Sequence, residues 1–334
     1  MNMMKLPRQI DEVVPVQGSQ ADHVLLVSAS WERRCLGVPQ RLSLNYRCEQ
    51  VLLSSYQRPS ELREEMIRQM VPLLERAGPI QRIYAEHDHF LHNVRQILNT
   101  IASISFGDTP RITIDVSCFT KKHLLTLVHG LESRRLLSCT QFLFTVRTDY
   151  DTTVDEAVSS GVANVELVPS FTGDTSPSLD SVLILFLGFE ATRALALWSR
   201  FDATTSVAVI AEPPYLPEWQ GLSEQVNRKL VAELPDENLH RCDSLDPAGS
   251  ESLLERLIGG ANPGLYQDRK NVFVAPLGPK AQALGVYRYW RRFPRRFSIV
   301  YASPGQFRER QTEGGCGNSW LLDCSIGWQA PASE

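Results

Sequence analysis

The sequence predicts an α/β protein made of two tandem Rossmann-like units, each a doubly wound, mostly parallel sheet. Three observations predict this class. Short apolar runs alternate with helix-periodic stretches, the alternation restarts midway, and landmark residues recur at one spacing. Strand runs that are apolar on both faces belong to sheets covered on both sides.

In the first half, Val24–Ser28 reads as the opening strand and Glu32–Gln40 as the start of a helix. Val51–Ser55 is the second strand and Ser60–Ala77 a polar helix. Arg82–Ala85 is a short strand. Phe90–Ile104 carries Leu91, Val94, Ile97, Leu98 and Ile101 at helical spacing. Arg111–Val116, a helix over Lys122–Arg134 and the strand Phe142–Val146 complete this half.

Pro169–Ser181 is rich in Ser, Thr, Pro, Gly and Asp and reads as a linker. The expected domains are therefore 1–170 and 178–334, joined through 169–181. The second half repeats the order: strand Val182–Leu187, helix Glu190–Phe201, strand Val207–Ala211 and helix Leu222–Leu234. Then come strand His240–Cys242, helix Glu251–Ile258, strand Asn271–Ala275, helix Ala281–Trp290 and strand Phe297–Tyr301.

The pairs Glu32/Glu190, Lys121/Lys280 and Tyr150/Phe307 are separated by 158, 159 and 157 residues. Offsets that agree to within two residues at three landmarks point to an internal duplication. The alternative is two unrelated domains with convergent loops.

Ligands of open parallel sheets bind beyond the carboxyl ends of the strands. The candidate residues there are Ser30, Glu32 and Arg34 after the first strand, and Ser117, Thr120 and Lys121 after the fourth. Their counterparts are Gly188, Glu190 and Arg193, then Gly278, Lys280 and Gln282. Helix starts favour phosphate, and Lys121 and Lys280 add full charges. The Glu–Arg pairs are either local braces or ligand contacts, with Glu on ribose or base and Arg on phosphate. In a third reading, Glu32 or Glu190 is a general base of a nucleotide-processing enzyme, whether a hydrolase, an N-glycosidase or a ring nuclease.

Other features have plainer readings. Glu86, His87, Asp88, His89 and His92 lack the spacing of a zinc helix and read as a capping loop. Tyr56 and Tyr215 either stack on a base or pack their loops. The basic run 291–296 reads as a solvated loop, or else as a contact for nucleic acid or an acidic protein. The sequence shows no G-x-G-x-x-G after a strand, Walker loop, G-x-S-x-G elbow or HExxH. It thus implies neither a cofactor nor a metal.

The net charge of −4 over 334 residues argues against a surface dedicated to coating nucleic acid. The odd count of seven cysteines, without CxxC, argues against a disulfide framework or zinc ribbon and fits a reducing cytoplasm. The N-terminal residues show no signal-peptide pattern, and no apolar run is long enough to span a bilayer. Cytoplasmic localisation without membrane contact is the expectation.

The turn Ser117-Cys118-Phe119-Thr120-Lys121, and more loosely Leu277-Gly278-Pro279-Lys280, resembles the ligand-binding turn of CRISPR-associated Rossmann-fold (CARF) sensor domains. Cys118 and Phe119 stand where that family has paired glycines, and Pro279 replaces its Thr. The resemblance implies a nucleotide sensor in a prokaryotic antiphage defence system, acting through a separate effector protein. It also implies paired turns facing one ligand within a fused chain. A scaffold subunit without a ligand is the bland alternative. Homo-oligomerisation and nucleic-acid contact stay open.

Overall fold

The computed structural model describes residues 7–16, 20–56, 60–86, 89–106, 109–148, 159–260, 263–266, 270–307, 309 and 315–322. Tyr150, His87 and Asp88 lie outside them, so the Tyr150/Phe307 landmark and the complete histidine loop are not described. The chain forms two compact α/β units. One comprises residues 1–150 with 309–329, the other 151–308 with 330–334.

In the first unit, β1 (Arg8–Ile10) and β2 (Asp22–Ser28) precede a 3-10 turn over Arg33–Leu36 and the short α1 (Gly37–Arg41). Then follow β3 (Cys48–Tyr56), α2 (Glu61–Glu75), β4 (Ile80–Ala85), α3 (Phe90–Ser103), β5 (Ile112–Asp115), α4 (Lys121–Ser133) and β6 (Thr140–Arg147). The second unit contains β7 (Ser159–Leu167), β8 (Asp180–Leu187), α5 (Ala191–Phe201) and β9 (Thr205–Ala211). It continues through α6 (Leu222–Val226), α7 (Arg228–Val231), β10 (Leu239–Cys242), α8 (Pro247–Ile258), β11 (Lys270–Pro276), α9 (Lys280–Arg292) and β12 (Ser298–Phe307). The last described strand is β13 (Cys316–Leu322).

The sheet orders are β1-β13-β6-β5-β2-β3-β4 and β10-β9-β8-β11-β12-β7. The parallel core of each is one pattern: the first strand is central, with the second and third to one side and the fourth and fifth to the other. This is the doubly wound arrangement expected, and it is the same in both units. All of β2 and the last six residues of β8 are buried. That explains their unbroken apolar character.

Register carries the equivalence further. Val24 pairs with Ile112, and Val182 with Val272. Ile114 then pairs with Phe142, and Val274 with Ile299. Counting along the fifth strands, Thr145 and Ala302 occupy equivalent rungs.

The sixth strand breaks the expected division. β7 follows β6 in sequence but pairs antiparallel with β12. β13 follows β12 but pairs antiparallel with β6. Each sheet therefore takes its antiparallel strand from the other half's sequence, and the compact units are not the contiguous segments 1–170 and 178–334.

The expected linker at 169–181 is also corrected. Phe171 is fully buried and tilted against Trp290 at 4.7 Å. Gly173 N donates to Ser298 Oγ at 2.9 Å, and Asp174 N to Arg295 O at 2.8 Å. Asn271 Nδ2 donates to Ser176 O and Leu179 O. The segment is packed structure of the second unit.

Two helices differ from expectation. Glu32–Gln40 becomes a 3-10 turn and one short helix, because Gly37 and Pro39 are poor helix interiors. Leu222–Leu234 splits at Asn227, whose side chain bonds Gly188 O and Ser223 O rather than facing solvent.

Candidate functional site

Every candidate residue lies at or just beyond the carboxyl end of a parallel strand. In the first unit the chain leaving β2 turns through Ser30, whose Oγ accepts from Glu32 N at 3.3 Å. Glu32 is buried, and both carboxylate oxygens are engaged. Oε2 accepts from Arg34 Nη2 at 2.6 Å and Nε at 3.0 Å, while Oε1 accepts from Arg147 Nη1 at 3.0 Å. Arg147 closes β6 and was not a candidate. Its signal was a cation directly after the strand run Phe142–Val146.

Beyond β5, Ser117 is fully enclosed. Its N and Oγ donate to Asp115 Oδ1, and its Oγ accepts from Thr145 N at 2.8 Å. Ser117 thus ties two strand ends together. Thr120 is the N-cap of α4, accepting from His123 N at 3.4 Å, and Lys121 takes the first helical position.

His123 is buried, with Nδ1 2.6 Å from Thr120 Oγ1 and Nε2 3.5 Å from Asn93 Nδ2. Asn93 is oriented by Glu86, donating to its O at 2.6 Å and accepting from its N at 2.9 Å. Its second N–H therefore faces Nε2. Thr120 Oγ1 thus holds both the backbone N and the ring Nδ1 of His123. Tyr56 packs edge-on against the His123 ring at 6.0 Å, which is the loop-packing reading for that residue.

In the second unit, Glu190 caps α5 without a side-chain cap bond and pairs with Arg193 Nη1 at 2.6 Å. Arg193 is buried and donates from Nε and Nη2 to Ala302 O at 2.9 and 2.7 Å. It also lies over the Tyr301 ring at 4.8 Å. The fifth strand thus receives the Glu–Arg pair in both units, by a guanidinium in one and by a carbonyl in the other.

Lys280 is the first residue of α9 and is buried, matching Lys121 in helical position. Gly188 and Gly278 face each other where β8 and β11 end. A Cβ on Gly188 would stand 2.6 Å from Leu277 O. One on Gly278 would stand 2.3 Å from Gln282 Oε1. Gln282 donates from Nε2 to Cys242 O at 3.0 Å, tying the first turn of α9 to the end of β10.

The structure brings together Ser30, Glu32 and Arg34; Thr120 with Lys121; Glu190 with Arg193; and Gly188, Gly278 and Gln282. Ser117 is engaged in bracing. Tyr215 packs against Trp219 at 5.0 Å. In the basic run, Arg292 ends α9 and bonds Glu251 and Glu255, and Arg296, in the loop beyond, lies over Phe293 at 4.3 Å. His89 Nδ1 lies 2.6 Å from Glu86 Oε2, and among the described residues no group of three or more metal-ligating side chains forms. Among them also, no helix is long and apolar enough to cross a membrane.

No family model matches the chain, and no curated protein matches it. The solved structures similar to the chain include the following three. One is a functionally unknown protein from Pseudomonas aeruginosa PAO1, at 12% identity and TM-score 0.23, covering 85% of this chain and 94% of that one. Another is a candidate universal stress protein from Pseudomonas aeruginosa UCBPP-PA14, at 13% identity and TM-score 0.24, with coverages of 85% and 94%. The third is the cytoplasmic domain of a prokaryotic cation chloride cotransporter, at 10% identity and TM-score 0.26, with coverages of 85% and 96%. At these scores the fold rests on strand order and register, and function rests on the sites.

Proposed function

We propose that the chain is a nucleotide-binding regulatory protein that holds phosphorylated ligands at the carboxyl ends of its parallel strands. One observation carries this reading. Lys121 and Lys280 each take the first position of the helix that follows the fourth strand, beside the point where the strand order reverses.

The carboxylates favour binding over turnover. A general base needs a lone pair aimed at substrate, whereas Glu32 is clamped by two guanidiniums and Glu190 by one. In this reading both are positioning groups. A role in prokaryotic defence, read out by a separate effector protein, extends the proposal along the resemblance to CARF domains.

The test is thermal stabilisation of the full chain by a panel of mono-, di- and cyclic nucleotides. At saturating ligand, wild type gains several degrees. The double variant Lys121→Ala, Lys280→Ala loses the gain while keeping its ligand-free melting temperature within about 3 °C. An unchanged gain in the double variant overturns the reading, as does no stabilisation of wild type by any nucleotide.

A further inference from the structure

At the carboxyl end of the second sheet, two buried carboxamides have spent their donors and kept their acceptors. Gln282, with no exposed surface, donates from Nε2 to Cys242 O at 3.0 Å and to Asp243 O at 3.4 Å. Asn227, 2% exposed, donates from Nδ2 to Gly188 O and Ser223 O, each at 2.7 Å. These bonds fix which end of each amide is oxygen. Gln282 Oε1 and Asn227 Oδ1 then have no hydrogen-bond partner among the described residues, and neither has the buried Ser244 Oγ.

Buried acceptors left in this way are costly and call for a reason. Their position supplies one. Asn227 holds Gly188 beyond β8. Gln282 Oε1 lies against Gly278 beyond β11, filling the space a Cβ would take there, and Leu187 O is 3.3 Å from that position. Ser244 N donates to Pro213 O at 3.1 Å, which brings the loops after β9 and β10 to the same edge. The amide oxygens thus flank the β8–β11 crevice, at the head of the helix that begins with Lys280.

We infer that this crevice takes the nucleoside end of a nucleotide, through N–H or O–H donors of base or sugar given to Gln282 Oε1 and Asn227 Oδ1. The phosphate of a nucleotide is mainly a dianion at neutral pH and offers chiefly acceptors, which suit a cation rather than these oxygens, so the phosphate points to Lys280. The ligand enters by parting the loops of Gly188 and Gly278, neither of which carries a side chain to obstruct it. The inference rests on the proposed nucleotide binding and adds the ligand's orientation, the unit that holds the nucleoside and the groups that read it.

The test combines binding and hydrogen exchange on the full chain, with the four ribonucleoside monophosphates and inorganic phosphate as separate probes. At least one monophosphate binds wild type and slows exchange in peptides spanning 184–192 and 275–284. Gln282→Met weakens that nucleotide at least tenfold and leaves any binding of inorganic phosphate within twofold. Exchange in wild type is the check that does not depend on the variant folding. Protection confined to 113–124, or Gln282→Met affinity within twofold of wild type, overturns the inference while leaving nucleotide binding intact. No binding of any monophosphate overturns it too. If di- and cyclic nucleotides also fail to bind, the proposed function goes with it.

Discussion

Arg147 Nη1 donates to Glu32 Oε1 at 3.0 Å, so the last residue of β6 holds a carboxylate that leaves β2. Arg34 holds the other oxygen of the same carboxylate. In the second unit the corresponding strand offers Ala302 O, and Arg193 spans from it to Glu190. The two units thus solve one packing problem with different charge balances.

That difference gives a stability prediction. Removing the carboxylate with Glu32→Ala leaves two enclosed guanidiniums facing each other, and costs about 3–5 kcal/mol. Glu190→Ala leaves Arg193 with both bonds to Ala302 O and costs about 1–2 kcal/mol. Urea unfolding at pH 7 measures both. Equal losses in the two variants contradict the assigned geometry.

Much of this architecture was legible in the sequence because buried parallel strands must be apolar on both faces. Val24–Ser28 and Val182–Leu187 announce themselves in that way. The Glu–Arg and lysine landmarks were legible because they recur at one offset. β1, β7 and β13 were not. β7 reads SSGVANVEL, with small and polar residues that suit a half-exposed edge strand and resemble a loop. Which β6-type strand β7 and β13 join is a long-range choice that no local pattern encodes. Asn227 was hidden for another reason: it stands inside an apparently continuous helix, and only its bonds to Gly188 O and Ser223 O show that the helix breaks. Arg147 was visible but had no partner in the duplicated half to draw notice.

The packed state of residues 169–181 is open to a simple substitution. A Cβ on Gly173 would lie 2.6 Å from both C and O of Phe297 and 2.8 Å from its N, all backbone atoms that cannot swing aside. Gly173→Ala should cost about 1–3 kcal/mol and lower the melting temperature by several degrees. A flexible connector would tolerate the change, so a melting temperature within 1 °C of wild type would restore the linker reading.

The buried thiols set an alkaline limit. Burial, with Asp22 nearby, pushes the Cys48 thiol up to about 12, and burial raises Cys35 well above its ordinary value. Folding therefore favours the protonated thiols. The stability they contribute is complete below pH 9, the ordinary thiol value, and is lost as pH climbs from 9 toward 12. Unfolding free energy should fall over that window, with a shallower slope in Cys48→Ala. Iodoacetamide at pH 8 should modify the half-exposed Cys139 at least tenfold faster than Cys35 or Cys48. Comparable rates in the native protein would contradict the burial.

The exchanged sixth strands yield the most direct test of the topology. β13 pairs with β6 through Ser319↔Thr145 and Leu322↔Phe142, and Thr145 Oγ1 lies 2.8 Å from Ser319 Oγ. A chain ended after residue 315 would strip this neighbour from β6, although the deleted residues follow β12 in sequence. Amide exchange in Thr140–Arg147 should then quicken at least tenfold, whereas Ser298–Phe307, still paired with β7, keeps its protection. A colinear arrangement, with each half keeping its own last strand, predicts the reverse. Loss of protection in β12 with β6 unchanged would therefore exclude the exchange. Slow exchange at both would show that β13 adds nothing to β6, because an uncovered edge has no backbone partners to hold its amides.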